Sequence, residues 1–216
     1  MGLEFTVYDV FTILLLLAVV AVLQFYRGRK VNLILIEYTA RRFEEILKPR
    51  DKEYQWIGLY VGYKARFETP YRSLRRVEVV LTLLPRQSLF YLPIALLTSR
   101  HDRLYLFFRY DRRFSSEAHV VRKYYYRLGL RRVIRGIEGM NVGSTKINGK
   151  TFYLVYNDAK LASKLVELVR SLSKPDIVNH IAVVPANSSV FLSARVSPKS
   201  FDELILKVYS FARSIA

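Results

Sequence analysis

The basic residues of this chain repeatedly occur as adjacent pairs, and paired arginines are well suited to binding phosphate. A guanidinium group is planar and presents a fork of N–H donors that matches phosphate oxygens. The candidate phosphate contacts are Arg41-Arg42, Arg75-Arg76, Arg112-Arg113, Arg122-Lys123, Arg131-Arg132 and Arg135. These residues predict a polyanionic partner, either RNA or anionic lipid, and the fold decides which of them share a surface.

Tyrosines accompany several of these pairs and give a second possible chemistry. Tyr110 precedes Arg112, and Tyr124, Tyr125 and Tyr126 follow Lys123. Aromatic rings next to a basic groove can stack on nucleic-acid bases. Tyrosines in strands are also common packing residues, so stacking and packing remain alternative roles here.

The net charge supports a polyanionic partner. The chain carries a formal charge of +17, and residues 27–135 hold 25 Lys and Arg against 10 Asp and Glu. Residues 136–216 hold 10 against 6, so the excess is concentrated in the first half of the part that follows the apolar run. A field of this size attracts RNA or lipid head groups, although a basic surface can also serve solubility alone.

The residue types needed for most enzymatic sites do not form a recognisable group. The chain has no cysteine, which excludes disulfides and thiolate catalysis. His101, His119 and His180 are isolated in the sequence, and each is expected to be structural. The segment Gly136–Gly139 matches the G-x-x-G of KH domains, but its Glu138 would repel phosphate, which favours a flexible loop. We therefore expect a non-enzymatic protein without metal or cofactor.

An apolar run near the N-terminus predicts a membrane anchor. Residues 10–26 pass without a charge and would span roughly 25 Å as a helix, near the short limit for crossing a bilayer. Glu4 and Asp9 precede the run and basic residues follow it, so the positive-inside rule places the N-terminus outside and the remainder in the cytosol. The membrane would be the plasma membrane in a prokaryote and the ER in a eukaryote.

The exit of the run carries the residues expected at a membrane interface: Phe25, Tyr26, Arg27, Arg29 and Lys30. A cleaved signal peptide is the main alternative, but it requires a basic start and small residues at its exit. A buried helix of a soluble protein is the other alternative. The predicted organisation is an outer N-terminus (1–9), a transmembrane helix (10–26) and a basic cytosolic domain (27–216).

The remaining pattern predicts an α+β fold of mostly antiparallel strands with packed helices. A helix over 31–48 either continues the membrane helix or bends at Gly28, with Leu33, Ile36, Ala40, Phe43 and Leu47 as its apolar stripe. Further helices are expected over 158–172 and from Pro198, and a short or kinked one over 87–99. The predicted strands cover 54–67, 75–84, 104–110, 151–156, 177–184 and 189–196, with a hairpin turn at Asn148-Gly149. Segment 117–127 could be helix or strand.

The order of these elements resembles the calumin family, the ribosome-binding subunits of the PAT complex (protein associated with the ER translocon). The likeness lies in a membrane helix with a basic exit, the helix segment 38–47, the segment from Tyr54 and, most specifically, residues 84–97 followed by the strand 102–110. It covers roughly residues 10–214. The compact, cysteine-free form would suit a prokaryotic, archaeal relative.

The resemblance implies a cytosolic domain beside the Sec translocon that helps multipass membrane proteins insert. It also implies three partners: the ribosome, the translocon channel and a small membrane-embedded subunit. This chain lacks the family's acidic luminal segment and its C-terminal basic coiled coil, so ribosome binding would rest on the domain's own basic surface. The alternative function is a membrane-tethered module that binds anionic lipid head groups or another ligand.

Overall fold

The computed structural model describes residues 6–123, 125–126 and 129–215. Tyr124, Arg127 and the first five residues, including Glu4, lie outside this description, as does the side chain of Arg132. Statements below refer to the described residues.

The chain begins with one helix, α1 (Val7–Leu47), which has 41 residues and is therefore about 60 Å long. Thr6 and Asp9 cap its start reciprocally: the Thr6 side chain accepts from the Asp9 amide, and the Asp9 side chain accepts from the Thr6 amide. Lys48 ends it in a left-handed conformation just before Pro49. The sequence predicts either a bend at Gly28 or a continuous helix, and the structure has the continuous helix.

The two halves of α1 have different surroundings. The first half is long and apolar enough to cross a membrane, and none of its most apolar stretch is buried in the protein. In the second half one stripe is buried, and it consists of Gly28, Asn32, Ile36, Thr39, Phe43 and Leu47. The predicted stripe is confirmed at Ile36, Phe43 and Leu47, whereas Leu33 and Ala40 are half-buried because Asn32 and Thr39 occupy the centre of the contact.

One antiparallel sheet forms the rest of the framework. Its strands are β1 (Asp51–Trp56), β2 (Gly62–Glu68), β3 (Leu74–Thr82), β4 (Arg103–Tyr110), β5 (Ala118–Arg122), β6 (Asn141–Ile147), β7 (Lys150–Tyr156), β8 (Val178–Val184) and β9 (Ser189–Arg195). They are arranged in the order β1-β2-β3-β4-β9-β8-β5-β7-β6. Three more helices follow α1: α2 (Tyr91–Thr98), α3 (Ala159–Ser171) and α4 (Pro198–Ser214). The α+β prediction is confirmed.

Local signals placed several elements correctly. The Asp158 side chain accepts from the amides of Lys160 and Leu161 and so caps α3. Asn148 and Gly149 both have positive φ and join β6 to β7. Pro93 lies in the first turn of α2, where its missing N–H has no partner to lose.

The expectation of one strand over 54–67 is wrong. The segment is a hairpin of β1 and β2, paired from Asp51–Glu68 to Trp56–Tyr63. The chain reverses over 57–61, where Gly58 and Tyr60 have positive φ. Segment 117–127, for which the sequence allows either helix or strand, contains the strand β5 and no helix among its described residues.

The helices α1, α3 and α4 pack on one face of the sheet. The second half of α1 contacts β2 and α4, and α3 contacts β5, β7 and β8. Phe43 of α1 lies 5.3 Å from the ring of Phe201 and 6.0 Å from that of Phe67, measured between ring centroids. The opposite side is called the open face. Part of it is covered by residues 125–126 and 129–140 through a second small core around Val121, Ile134 and Val155.

Strand ends gather at two ends of the sheet. The anchor end lies beside residues 24–32 of α1, because the Asn32 side-chain amide donates to the carbonyls of Tyr60 (2.8 Å) and Leu84 (2.9 Å). The register also brings Arg103, Arg195 and Arg122 to this end. The far end lies beside Leu47, where α1 stops and β1 begins.

Candidate functional site

Exposed arginines crowd the far end of the sheet. They are called the far-end patch and comprise Arg50, Arg72, Arg75, Arg112, Arg113 and Arg213. The loops that carry them are tied together, since the Asp111 amide donates to the Ser73 carbonyl at 3.2 Å. Three predicted contacts, Arg75, Arg112 and Arg113, therefore share one surface.

Further contacts attach the C-terminal helix and the start of β1 to this patch. Arg112 donates to the Ile215 carbonyl, and the Arg213 guanidinium lies over the Tyr71 ring, 4.5 Å from its centroid. Nearby carboxylates are Asp51, Glu68 and Asp111, of which Asp111 lies 3.7 Å from Arg75 with both side chains exposed. An exposed pair of this kind leaves the arginine available to an outside anion.

Other predicted arginines are already paired with carboxylates of the protein. Arg42 makes two hydrogen bonds of 2.8 Å to the carboxylate of Asp202. Arg41 pairs with Glu37 at 2.9 Å, and Arg76 with Glu78 at 2.9 Å. The pairs of Arg42 and Arg76 are partly buried, so these two contribute less free positive charge than the sequence suggests. The Arg41–Glu37 pair is exposed on both sides, like that of Arg75.

A second group of basic side chains meets at the anchor end. Arg100, Arg103, Arg122 and Arg195 line a cleft of about 280 Å³, called the anchor-end cleft. The other described lining residues are Thr98, Ser99, His101, Tyr125 and Asn179, so no carboxylate lines it. Only Arg122 was predicted, because the others stand singly in the sequence and are united by the strand register.

Asp176 supplies the nearby countercharge. Arg195 contacts its carboxylate at 2.6 Å, and Arg122 donates to its carbonyl at 2.9 Å. The buried Nε of Arg195 has no hydrogen-bond partner among the described residues. Burial lowers the pKa of Arg122, and the neighbouring charge of Arg195 lowers it further. The cleft is thus short of negative charge.

The pKa of His101 is affected by the same positive charges. Its pKa is lowered first by burial and then by the charges of Arg195, Arg122 and Arg100. Asp102 acts in the opposite direction but pairs with Arg86 at 2.7 Å. An anion would relieve the repulsion within this group of cations.

The last predicted basic residues belong to the segment over the open face. The Lys123 amide donates to the Thr151 carbonyl at 2.9 Å, and Arg131 and Arg135 are exposed. The side chain of Arg132 lies outside the described part of the chain. These residues are separate from the far-end patch.

The tyrosines divide between packing and partial exposure. Tyr110 is buried and donates to the Ala212 carbonyl at 2.7 Å, which is a packing role. Tyr125 and Tyr126 are half-buried and bonded to Ser193 and His180. Tyr124, which the sequence also suggests for stacking, lies outside the residues that the structure describes.

The predicted interface residues surround the end of the apolar run. Phe25 and Tyr26 are exposed and form an edge-to-face pair with centroids 5.6 Å apart. Arg27 and Lys30 are exposed, and the Arg29 guanidinium lies 4.4 Å from the centroid of the Tyr60 ring. The basic exit of α1 is thus joined to the turn between β1 and β2.

One cluster was missed from the sequence. The expectation of isolated histidines is wrong for His119 and His180, which lie on the paired strands β5 and β8 with Nδ1 of His119 3.1 Å from Nε2 of His180. Glu117 lies 2.8 Å from the other nitrogen of His119, and the Tyr126 hydroxyl 2.7 Å from the other nitrogen of His180. These four hydrogen-bonded side chains border a cavity of about 690 Å³ on the open face.

The hydrogen bonds fix one consistent set of proton positions. An ionised Glu117 accepts from His119, which then accepts from His180, which in turn accepts from Tyr126. Burial lowers the pKa of both histidines, that of His180 well below 6.5, so both are neutral. The only sequence signals were the Glu-x-His spacing on one strand and a histidine inside the apolar run 177–184.

This cluster predicts a pH-dependent stability. Unfolded His180 binds a proton below about pH 6.5, whereas folded His180 does not. The free energy of unfolding is therefore highest above that pH and falls as the solution is acidified. Between pH 7 and pH 5 we expect a loss of about 2 kcal/mol from this residue. In the His180→Gln variant that part of the pH dependence should disappear.

The measurement is urea unfolding of the full chain in detergent, followed by circular dichroism at both pH values. His101→Gln, at an exposed histidine whose pKa is lowered less than that of His180, is the matched control and should keep most of the wild-type pH dependence. An unchanged pH dependence in His180→Gln would show that His180 is protonated in the folded protein.

A scan of the chain against protein-family models found no match, and a search of curated proteins found none.

Proposed function

We propose that the chain is a membrane-anchored docking factor that binds ribosomal RNA through its far-end patch and assists the insertion of multipass membrane proteins at the Sec translocon. It works by docking and shielding and makes or breaks no covalent bond. The observation that carries the proposal is the unbroken helix α1, whose exposed apolar half leads directly into the core of a strongly basic domain.

The helix sets the height of the patch above the membrane. The apolar run ends at Tyr26, and α1 continues to Leu47, where the far end begins. The twenty residues from Gly28 to Leu47 rise roughly 30 Å. The far-end patch would therefore face the cytosol at a distance that suits a large particle seated on a membrane channel.

Orientation follows from the charges at the exit of α1. Arg27, Arg29 and Lys30 favour the cytosolic side. The whole sheet lies on that same side, because it packs on the second half of α1. The basic domain would thus share a compartment with ribosomes.

The chemistry of the patch favours RNA. Its six arginines come from four places in the chain, namely the turn before β1, the segment 72–75, the loop after β4 and the end of α4. They stand on an exposed surface, which lets several of them reach phosphates of one backbone. Such contacts release counterions and make binding strongly salt-dependent. The resemblance to the calumin family supports the same partner and adds the translocon and a small membrane subunit.

The test is ribosome binding by the detergent-solubilised full chain at two salt concentrations. In the triple variant Arg75→Glu, Arg112→Glu, Arg113→Glu we expect at least about a tenfold loss of affinity at low salt and a shallower salt dependence. The matched control reverses Lys64, Lys164 and Lys199, three exposed lysines elsewhere on the domain.

Equal weakening in both triple variants would indicate attraction by net charge alone and would contradict a role for the patch. Binding that does not change with salt would contradict the RNA contact. If the chain binds vesicles of anionic lipid but no ribosomes, the alternative function, a tethered lipid-binding module, would replace this one.

A further inference from the structure

The short helix α2 is apolar on every side and exposed. Phe90, Tyr91, Ile94 and Leu97 expose 73, 57, 55 and 76 % of their surface, and Ala95 is its one buried residue. Eight residues are too short to cross a bilayer. An exposed patch of large apolar side chains marks a surface that contacts a membrane or a partner.

The position of α2 indicates which of these it contacts. The Arg86 carbonyl, shortly before α2, accepts from the side chain of Gln24 at 2.7 Å. Gly28 packs directly on the same peptide group. Both residues flank the point where the apolar run of α1 ends, so α2 starts at the level where that run would leave the bilayer.

A neighbouring turn extends this surface. Leu59 exposes 75 % of its surface, and its carbonyl accepts from the Gln87 side chain at 2.6 Å. Leu59 thus lies beside the segment that leads into α2. The segment before α2 contacts Gln24, and Tyr60, next to Leu59, contacts Arg29, so both segments adjoin the end of the apolar run of α1.

Cations adjoin the other end of α2. Thr98, its last residue, lines the anchor-end cleft together with Arg100, Arg103, Arg122 and Arg195. A helix with exposed apolar side chains and adjacent arginines matches the boundary between acyl chains and anionic head groups.

We propose that α2 and Leu59 lie in the interface of the bilayer that α1 crosses, and that the anchor-end cleft binds the phosphate of an anionic phospholipid. The inference rests on the membrane insertion of α1 but not on ribosome binding. It gives the domain two attachments to one leaflet, so the domain could not rotate freely about the axis of α1.

The absence of cysteine makes the depth of single residues measurable. The full chain, carrying Leu97→Cys with a fluorescent label, is reconstituted into vesicles of zwitterionic phospholipid containing phosphatidylglycerol and a lipid with a nitroxide on its acyl chain. We expect the nitroxide lipid to reduce the fluorescence about twofold or more. Val142→Cys, an exposed apolar site at the far end, should not be quenched.

Val19→Cys, within the apolar run, separates the two proposals. Quenching at Val19 without quenching at Leu97 would overturn the inference and leave the anchor intact. No quenching at Val19 would overturn both. A Leu97 label shielded from water but not quenched by lipid would place a second copy or another protein on α2, which also overturns the inference.

The cleft is tested by the pair Arg100→Gln, Arg103→Gln in the Leu97→Cys background. We expect the increase in quenching caused by phosphatidylglycerol to be lost in this variant and retained in Arg112→Gln, Arg113→Gln at the far-end patch. If the labelled Leu97→Cys protein with Arg100 and Arg103 intact is quenched equally in neutral and anionic vesicles, phosphate binding by the cleft is overturned.

Discussion

Replacing Asn32 by leucine should lower the free energy of unfolding by about 3–5 kcal/mol. Asn32 is fully buried. Its amide donates to the carbonyls of Tyr60 and Leu84, and its side-chain oxygen accepts from Arg86 at 2.9 Å. Leucine is of similar size but removes all three bonds. The Leu84 carbonyl keeps the Arg86 amide and the Arg86 guanidinium keeps Asp102, whereas the Tyr60 carbonyl loses its bond to Asn32. A lost bond costs about 0.5–1.5 kcal/mol, one to a charged group about 1.5–3 kcal/mol, and an unsatisfied buried group about 1–3 kcal/mol.

Chemical unfolding of the full chain in detergent, followed by circular dichroism, measures the change. Asn141→Leu is the matched control, because Asn141 is exposed at the start of β6. That variant should stay within about 0.5 kcal/mol of the wild type. A similarly small effect at Asn32 would mean that α1 does not hold the turn 57–61 and the segment 83–87 as the structure has them.

Replacing Gly28 by alanine should destabilise the protein by about 3 kcal/mol, although alanine favours helix. A β-carbon at Gly28 would lie 2.1 Å from the carbonyl oxygen of Arg86 and 2.4 Å from the amide nitrogen of Gln87. Both are backbone atoms, so the helix and this segment would have to separate. The separation would also weaken the bond from Gln24.

Thermal unfolding of the same preparation tests this expectation. Lys30→Ala, at an exposed position of the same helix, should change stability little. If Gly28→Ala proved more stable than the wild type, the close contact between α1 and the peptide after Arg86 would be contradicted.

Elements with strong local signals could be predicted from the sequence. The Asp158 cap, Pro198 at the start of α4 and the Asn148-Gly149 turn act within a few residues, so their effects are visible in a short window. The hairpin of β1 and β2 was missed because its turn 57–61 is largely apolar. Its positive φ at Tyr60 has no sequence signature, since tyrosine rarely adopts it.

The sites depend on contacts between residues that are far apart in the sequence. His119 and His180 are 61 residues apart and meet only because β5 pairs with β8. Arg103 and Arg195 meet through the pairing of β4 with β9. Asn32 was overlooked because a search for an apolar stripe ignores a polar residue at its centre.

The unbroken α1 also acts as a lever. In a bilayer, helices of this kind tilt by 0–40° from the membrane normal. Because α1 extends roughly 30 Å beyond the apolar run, a 20° change in tilt would move the far-end patch sideways by about 10 Å. The reach of the domain across the cytosolic surface would therefore depend on how far α1 tilts in the membrane that holds it.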